Sequence, residues 1–517
     1  VSTPNANGAV APAPERAWGL WLLVSVLVVT TLGLLVVANG NPAAALAPTL
    51  GFALIYGLCK LPLRVPVLVL FFSAFVLEIP SDIVANGKWK SPIAIVGALL
   101  FGQLKATLNV GALVFMGIDV VLILLFAIFA YRRATGNTID RQGTVALPMP
   151  LLYAAWASLG ACIFAFVWGM AHGGSFRFSL WQIQRVIYIP LVFMLMLASF
   201  PRAQVYHTLA KLLIVAACLR SVLAIYLRRL FPFDEYATTH PDSMLFAVAS
   251  CILIIRFLEE RNRKSLAWML GLLPILVAGM VANDRRLVWV ELGVSLLFAF
   301  LLARRTKLKV RIVRGILYSV PALVAYIAAG WGSASGIFAP VATIRSVVDS
   351  KSDSSTRWRD LENFNLVSTI GHNPIIGTGW GHPYEMVVPM PDVTAAYELE
   401  PYAPHNSILG LWAYTGYVGF ALHWLTLVTT VYFCARICFA TENSEHRTVA
   451  LTCLSAVIIY MVHLYGDLAL GTWASVFLIA SSMLISGKLA VEVGAWPSPN
   501  AARSPLTPRV EPLRRHP

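Results

Sequence analysis

The chain has 517 residues, 58% of them hydrophobic and 12% charged, with a mean hydropathy of +0.73; that balance excludes an ordinary soluble domain and describes an integral membrane protein. The formal net charge of +14 does not point to nucleic acid, because Lys and Arg gather in short clusters between apolar runs, as in RNRK (261–264) and ARRTKLKVRIVR (303–314), the pattern of cytoplasmic loops. The seven cysteines lie in or beside apolar runs and none falls in the largest loop, so no extracytoplasmic disulfide framework is implied.

A polar Pro/Ala-rich tail over 1–17 precedes a first apolar run too long for the core of a signal peptide, and reads as the start of a retained anchor. With that tail taken as cytoplasmic, apolar runs predict spans near 18–38, 43–58, 64–79, 108–130, 150–171, 181–200 and 205–226. Seven more follow near 241–258, 265–282, 287–303, 311–330, 405–433, 448–464 and 467–487. The even total places both ends inside, with 488–517 a basic cytoplasmic tail. The expected fold class is an all-α membrane protein of about 12–14 transmembrane helices. It comprises an N-terminal bundle over 18–330, a large extracytoplasmic loop over 331–404 and C-terminal helices over 405–487. The segment 92–104 reads as interfacial or re-entrant, since a further span there would carry Arg132 and Arg133 outside.

This topology leaves several arginines on the outer face. Arg177 and Arg185 lie around the start of the sixth span, Arg228 and Arg229 follow the seventh, Arg285 and Arg286 occupy the turn ANDRRLVW, and the loop contributes Arg345, Arg357 and Arg359. One such residue is ordinary surface charge or a contact to lipid phosphate. Several on one face suit a diphosphate carried on a lipid, because the planar guanidinium fork takes two phosphate oxygens at once. Arg185, in the first turns of a span within LWQIQRVIYIP, is expected to face the protein interior, where an arginine is costly and usually functional. Arg285 and Arg286 open the next helix, whose N-terminus adds partial positive charge. Glu291, about a turn and a half further on, reads as their counter-ion.

In the loop, Trp358, Leu361, Phe364 and Leu366/Val367 have the spacing of a short amphipathic helix over 357–370. GHNPIIGTGWG follows as a compact turn, so the loop is expected to be ordered and to lie over a membrane cavity as a lid. Pro404 ends the loop, and Asn406 or Ser407 caps the helix that begins in HNSILGLWAYTGYVGF. His405 then sits at that helix's positive end, a place for a neutral proton acceptor or for an anchor bonded to a backbone carbonyl. His372 and His382, beside turn glycines, read as structural.

The arginine-bearing helical segment, NPIIGTGWG and HNSILGLWAYTGYVGF together resemble the signature of the O-antigen ligase and O-antigen polymerase superfamily, bacterial multi-spanning enzymes acting on undecaprenyl-diphosphate-linked glycans. NDRRLVW is similar to the family's arginine turn and SLWQIQRVIYIP to its earlier arginine-bearing helix. The resemblance is specific over about 340–430 and looser over about 175–300; before residue 150 it rests on multi-spanning architecture alone. Where the family often has Ser and one Arg, this chain has Asp284, Arg285 and Arg286, and the spacing to Trp289 favours Arg286 as heir to the role.

The resemblance implies a GT-C-like fold and glycosyl transfer without metal, nucleotide sugar or other cofactor. His405 and Arg286 would be catalytic, and Arg185, Arg285, Arg228, Arg357, Arg359 and Asn406 would bind the diphosphate or glycan. The implied partners are an undecaprenyl-diphosphate-linked glycan donor, a saccharide acceptor, membrane lipids, and chain-length regulators or export components. The implied location is the bacterial inner membrane, with the site facing the periplasm. The preferred reading is a polymerase for capsule, exopolysaccharide or O-antigen; the alternative is a ligase acting on lipid A-core or protein. A flippase is a third reading. Transporters show internal repeats and polar residues near the midplane, whereas here the polar residues gather at one face, Asp119 and Asp467 excepted.

Overall fold

The computed structural model describes residues 14–78, 92–110, 115–136, 145–230, 238–333, 335–338, 341, 342, 345, 354–391, 398–466 and 471–497. In chain order the α-helices are α1 (Pro14–Val37), α2 (Pro42–Lys60), α3 (Arg64–Val76), α4 (Pro92–Phe101), α5 (Leu104–Leu108), α6 (Gly117–Ala134), α7 (Met149–Ala171), α8 (Phe176–Ser199) and α9 (Tyr206–Leu230). They continue as α10 (His240–Glu260), α11 (Arg263–Asn283), α12 (Leu287–Leu302), α13 (Lys307–Gly330), α14 (Ser354–His372), α15 (Ser407–Ala440), α16 (Ser444–Gly466) and α17 (Trp473–Glu492).

Each expected span meets a helix, and the helices left over are α4, α5 and the loop helix α14. Among the described residues, ten helices are long and apolar enough to cross a membrane, and three apolar helices are shorter. The fold is therefore an all-α integral membrane fold. With ten residues α4 rises only about 15 Å, half a hydrocarbon core, as expected of a segment that does not span. The span expected from residue 108 begins instead at Gly117, after the separate turn α5.

The chain forms two compact units, one of residues 1–66 and 79–140, the other of 67–78 and 141–517. In the first, α1 packs on α2, and Arg132, 4% exposed, donates to the carbonyls of Leu58, Cys59 and Leu61 at 3.1, 3.1 and 2.7 Å. Those are the orphan carbonyls at the end of α2, which a cation satisfies both by hydrogen bonding and by the helix dipole.

The second unit is built around α17. Its most apolar stretch is 94% buried, in contact with α8, α15 and α16, as a helix apolar on all sides must be. Its serines bond back to its own carbonyls, Ser482 to Leu478 and Ser486 to Met483, so they cost little inside. Glu78 accepts the first amides of this helix, Trp473 and Ala474, at 2.9 and 3.0 Å. Two buried ion pairs tie the surrounding helices: Arg220 of α9 forks onto Asp242 of α10 at 2.8 and 2.6 Å, and Arg447 of α16 meets Glu259 of α10 at 3.0 Å. In contrast to α17, none of the most apolar stretch of α13 is buried.

One feature of α15 positions the loop. At Gly416 the backbone leaves the helix (φ 65°, ψ 179°), which frees carbonyls above the break and amides below it. The NPIIGTG segment supplies the missing partners: Thr378 and Gly379 donate to Ala413 and Tyr414 carbonyls, while Tyr417 and Val418 donate to Pro374 and Ile375 carbonyls. A Cβ at Gly416 would lie 2.2 Å from the Ile375 oxygen, so no other residue fits. The same segment then docks on α7, where Trp380 donates to Ala165 and a Cβ on Gly379 would meet Gly169 Cα at 2.3 Å. The ordered turn expected from sequence is thus knitted into two helices.

Candidate functional site

His405 stands just before α15, whose N-cap is Asn406: its side chain accepts from Leu409 N–H at 3.2 Å and donates to Asn363 at 3.0 Å. Glu362 of α14, fully buried, accepts twice from His405, at 3.0 Å from the backbone N–H and at 3.2 Å from Nδ1. An ionised carboxylate only accepts, so Nδ1 carries the proton and Nε2 becomes the accepting nitrogen of the ring. The imidazole itself is about one third exposed (36%), open to a reactant while its orientation is fixed from behind. The positive surroundings read from sequence are joined by this carboxylate, which stabilises an imidazolium once a proton has been taken.

The loop helix exists, and of its expected apolar face Leu366 turns inward while Phe364 and Val367 turn outward. Phe364 and Val367 are 56% and 57% exposed, whereas Glu362, Asn365, Leu366 and Thr369 are buried. Each buried polar group has a loop partner: Asn365 exchanges hydrogen bonds with Val388, Thr369 accepts from Glu385 N–H, and Glu362 holds His405. Polar satisfaction therefore docks α14 together with Leu366, which packs on Tyr384 and Ala413. Beside it, burial and the carboxylates of Glu362 and Glu400 push the Tyr384 phenol far above its usual range, so it remains a donor, to Glu400 at 3.1 Å.

Helix α8 reaches the same place from the membrane. Gln182 spends its amide on the loop, donating to His382 and Tyr402 carbonyls at 3.1 and 3.0 Å and accepting from Gly381 at 2.5 Å, while Phe178 stacks on Tyr402 at 4.0 Å. One turn further on, buried Arg185 donates to Gln184 at 2.8 Å, and its guanidinium lies 5.9 Å from the Trp181 ring and 5.6 Å from Trp473. Glu78 is within electrostatic reach of Arg185 and Arg220. Arg185 thus faces inward as expected, and Gln182 ties its helix to the hairpin that ends in His405.

The other arginines divide. Arg357 and Arg359 are on α14, one to two turns before Glu362; Arg357 is exposed, and the Nε of Arg359 is buried with no hydrogen-bond partner among the described residues. Arg228 meets Asp284 at 3.3 Å, joining Arg285 and Arg286 at a second locus, the α11–α12 turn. Asp284 adopts left-handed backbone there (φ 55°), a conformation that Asp tolerates better than most residues, and Arg286 is the N-cap of α12. Glu291 is paired with His463 of α16 at 2.6 Å, both buried. Arg177 forks onto Glu398, Arg345 donates to the Trp331 carbonyl, His372 pairs with Glu385, and His382 Nε2 bonds the Gly169 carbonyl at 3.2 Å, so both loop histidines hold structure. Asp467 lies outside the described residues.

Sequence reasoning missed Glu362, Glu78, the Arg220–Asp242 fork and the Glu291–His463 pair. It also missed a cleft between α8 and the His405 hairpin, lined by Trp181, Gln182, Trp380, Tyr402, Ser407 and Tyr414. No group of three or more His, Cys, Asp or Glu that could hold a metal occurs among the described residues.

Residues 272–424, from within α11 through the loop to the first part of α15, match the family described as O-antigen ligase. No curated protein matches the chain.

Proposed function

We propose that this chain, a multi-pass membrane protein carrying an O-antigen ligase family domain, is a polysaccharide polymerase. It would transfer an undecaprenyl-diphosphate-linked glycan onto a lipid-linked repeat unit at the periplasmic face of the bacterial inner membrane. The observation that carries the reading is a histidine oriented by a fully buried carboxylate, on a hairpin bound to the helix that presents an inward arginine.

The reaction needs a base for the acceptor hydroxyl and positive charge for the leaving diphosphate. His405 Nε2 takes the hydroxyl proton as the acceptor oxygen bonds to the anomeric carbon, and the bond from that carbon to the diphosphate oxygen breaks. Glu362 stabilises the imidazolium so formed. Arg185 and Arg359, with Arg357, lie on the elements that surround the base, and they are assigned to the diphosphate in place of a cation. Arg286, Arg285 and Arg228 form the second positive locus, with Arg286 retained as the catalytic arginine of the family's turn. Asn406 holds the start of α15 and is assigned to glycan binding beside His405.

The family description favours a second reading, a ligase whose acceptor is lipid A-core or protein. The two part in a purified assay with lipid-linked repeat units alone. Chain growth without any other acceptor supports the polymerase; growth only after core saccharide is supplied supports the ligase. In either assay cleanly inserted His405→Ala protein makes no product, and full product from it removes His405 as the base.

A further inference from the structure

We propose that the cleft between α8 and the His405 hairpin seats the reducing-end sugar of the lipid-diphosphate donor, with one pyranose face on Trp181 and one hydroxyl accepting from Trp380 Nε1. The inference rests on the glycosyl-transfer reading and goes beyond it by assigning a sugar subsite and the residues that shape it.

Position is the first argument. In a displacement at the anomeric carbon, the reacting sugar lies between the base and the diphosphate. The cleft is bordered by both: Pro404 and Ser407, on either side of His405 in the chain, line it, and so does Trp181. Trp181 is also the ring against which the Arg185 guanidinium lies, at 5.9 Å. One side chain therefore borders both the cleft and the assigned diphosphate site.

The lining is the second argument. Trp181, Trp380, Tyr402 and Tyr414 make it aromatic, suited to the apolar face of a sugar ring. An isoprenoid chain would also suit such walls, but it would leave Trp380 unsatisfied. Trp380 is 1% exposed, and its Nε1 has no hydrogen-bond partner among the described residues. A buried donor left in that state is unfavourable, and a sugar hydroxyl relieves it. The Gln182 amide, already bound to Gly381, His382 and Tyr402, acts here as scaffold.

The test is a binding measurement on the full-length protein in nanodiscs, by intrinsic tryptophan fluorescence or calorimetry, which needs no turnover. The probes are bare farnesyl diphosphate and farnesyl diphosphates carrying glucose, galactose, N-acetylglucosamine or N-acetylgalactosamine. At least one sugar-bearing probe is expected to bind wild type several-fold more tightly than the bare lipid. Trp181→Ala and Trp380→Phe should each weaken that probe about three- to tenfold, Trp181→Phe less; binding of the bare lipid stays unchanged in Trp380→Phe and falls by less than that of the sugar-bearing probe in Trp181→Ala. Equal affinity of wild type for bare and sugar-bearing probes overturns the sugar cleft, even where the variants fail to fold. So does an equal loss for both kinds of probe in Trp181→Ala, which would mark an isoprenoid or diphosphate contact. Wild-type protein that transfers glycan yet shows no sugar-dependent binding overturns this inference alone. Sugar-dependent binding without transfer of any glycan overturns the glycosyltransferase reading and leaves the cleft.

Discussion

Because Glu362 accepts from both the backbone N–H and Nδ1 of His405, the residue is held at two points, one of them on the ring, and its tautomer is set. Glu362→Gln keeps the volume but offers an amide that can present its NH₂ to Nδ1 and stabilise the wrong tautomer. The expected result is a fall in turnover of about 10²- to 10⁴-fold with insertion intact, measured as product per inserted protein. Arg185 makes a different prediction. Its guanidinium lies between two indole rings, a geometry for a flat, delocalised cation that an ammonium does not reproduce. Arg185→Lys should therefore lose most activity although the charge is kept, and wild-type turnover in that variant would remove Arg185 from the site.

At the scale of elements, the break in α15 is a single-residue requirement. Gly416→Ala sets a methyl against the Ile375 oxygen in left-handed backbone and should destabilise the protein by more than about 1 kcal/mol. Gly315→Ala, in the unburied α13 where an added Cβ meets nothing within 4 Å, should be neutral or stabilising by up to about 1 kcal/mol. Thermal unfolding of the two purified proteins checks the contrast, and equal melting temperatures would contradict it. Span positions were legible because apolar runs of membrane length have few other uses. The break was not, because α15 is continuous in hydropathy and Gly416 is one of several glycines along it; what distinguishes it is a loop some 40 residues earlier in the chain. Glu362 was hidden for a related reason. Periodicity weighs apolar positions, and α14 is held as much by its polar ones, whose partners are distant in sequence, as by Leu366. His405, Asn406 and Arg185 were legible because a polar residue at the edge of an apolar run already requires a partner.

Across the molecule, the part of α15 beyond Gly416 has 24 residues from Tyr417 to Ala440, about 36 Å of helix, enough to cross the hydrocarbon core. Its ends therefore belong on opposite sides of the membrane. In a cysteine-free background, Val387→Cys in the loop (Val387 is 51% exposed) and Glu442→Cys just after α15 (side chain 83% exposed) should react with an impermeant maleimide from opposite faces of sealed vesicles. Labelling from one face would refute the topology.

The buried position of α17 bears on how the protein is made. The helices it contacts, α8, α10, α15 and α16, all precede it in the chain, so each leaves the ribosome before the element that fills the space among them. Until α17 arrives, Arg185 lacks the Trp473 ring beside it and Glu78 lacks the amides that it accepts. Assembly of the charged centre thus waits for α17, and a nascent chain halted before Trp473 would expose an unfilled, lipid-accessible seam of the kind that membrane quality control removes.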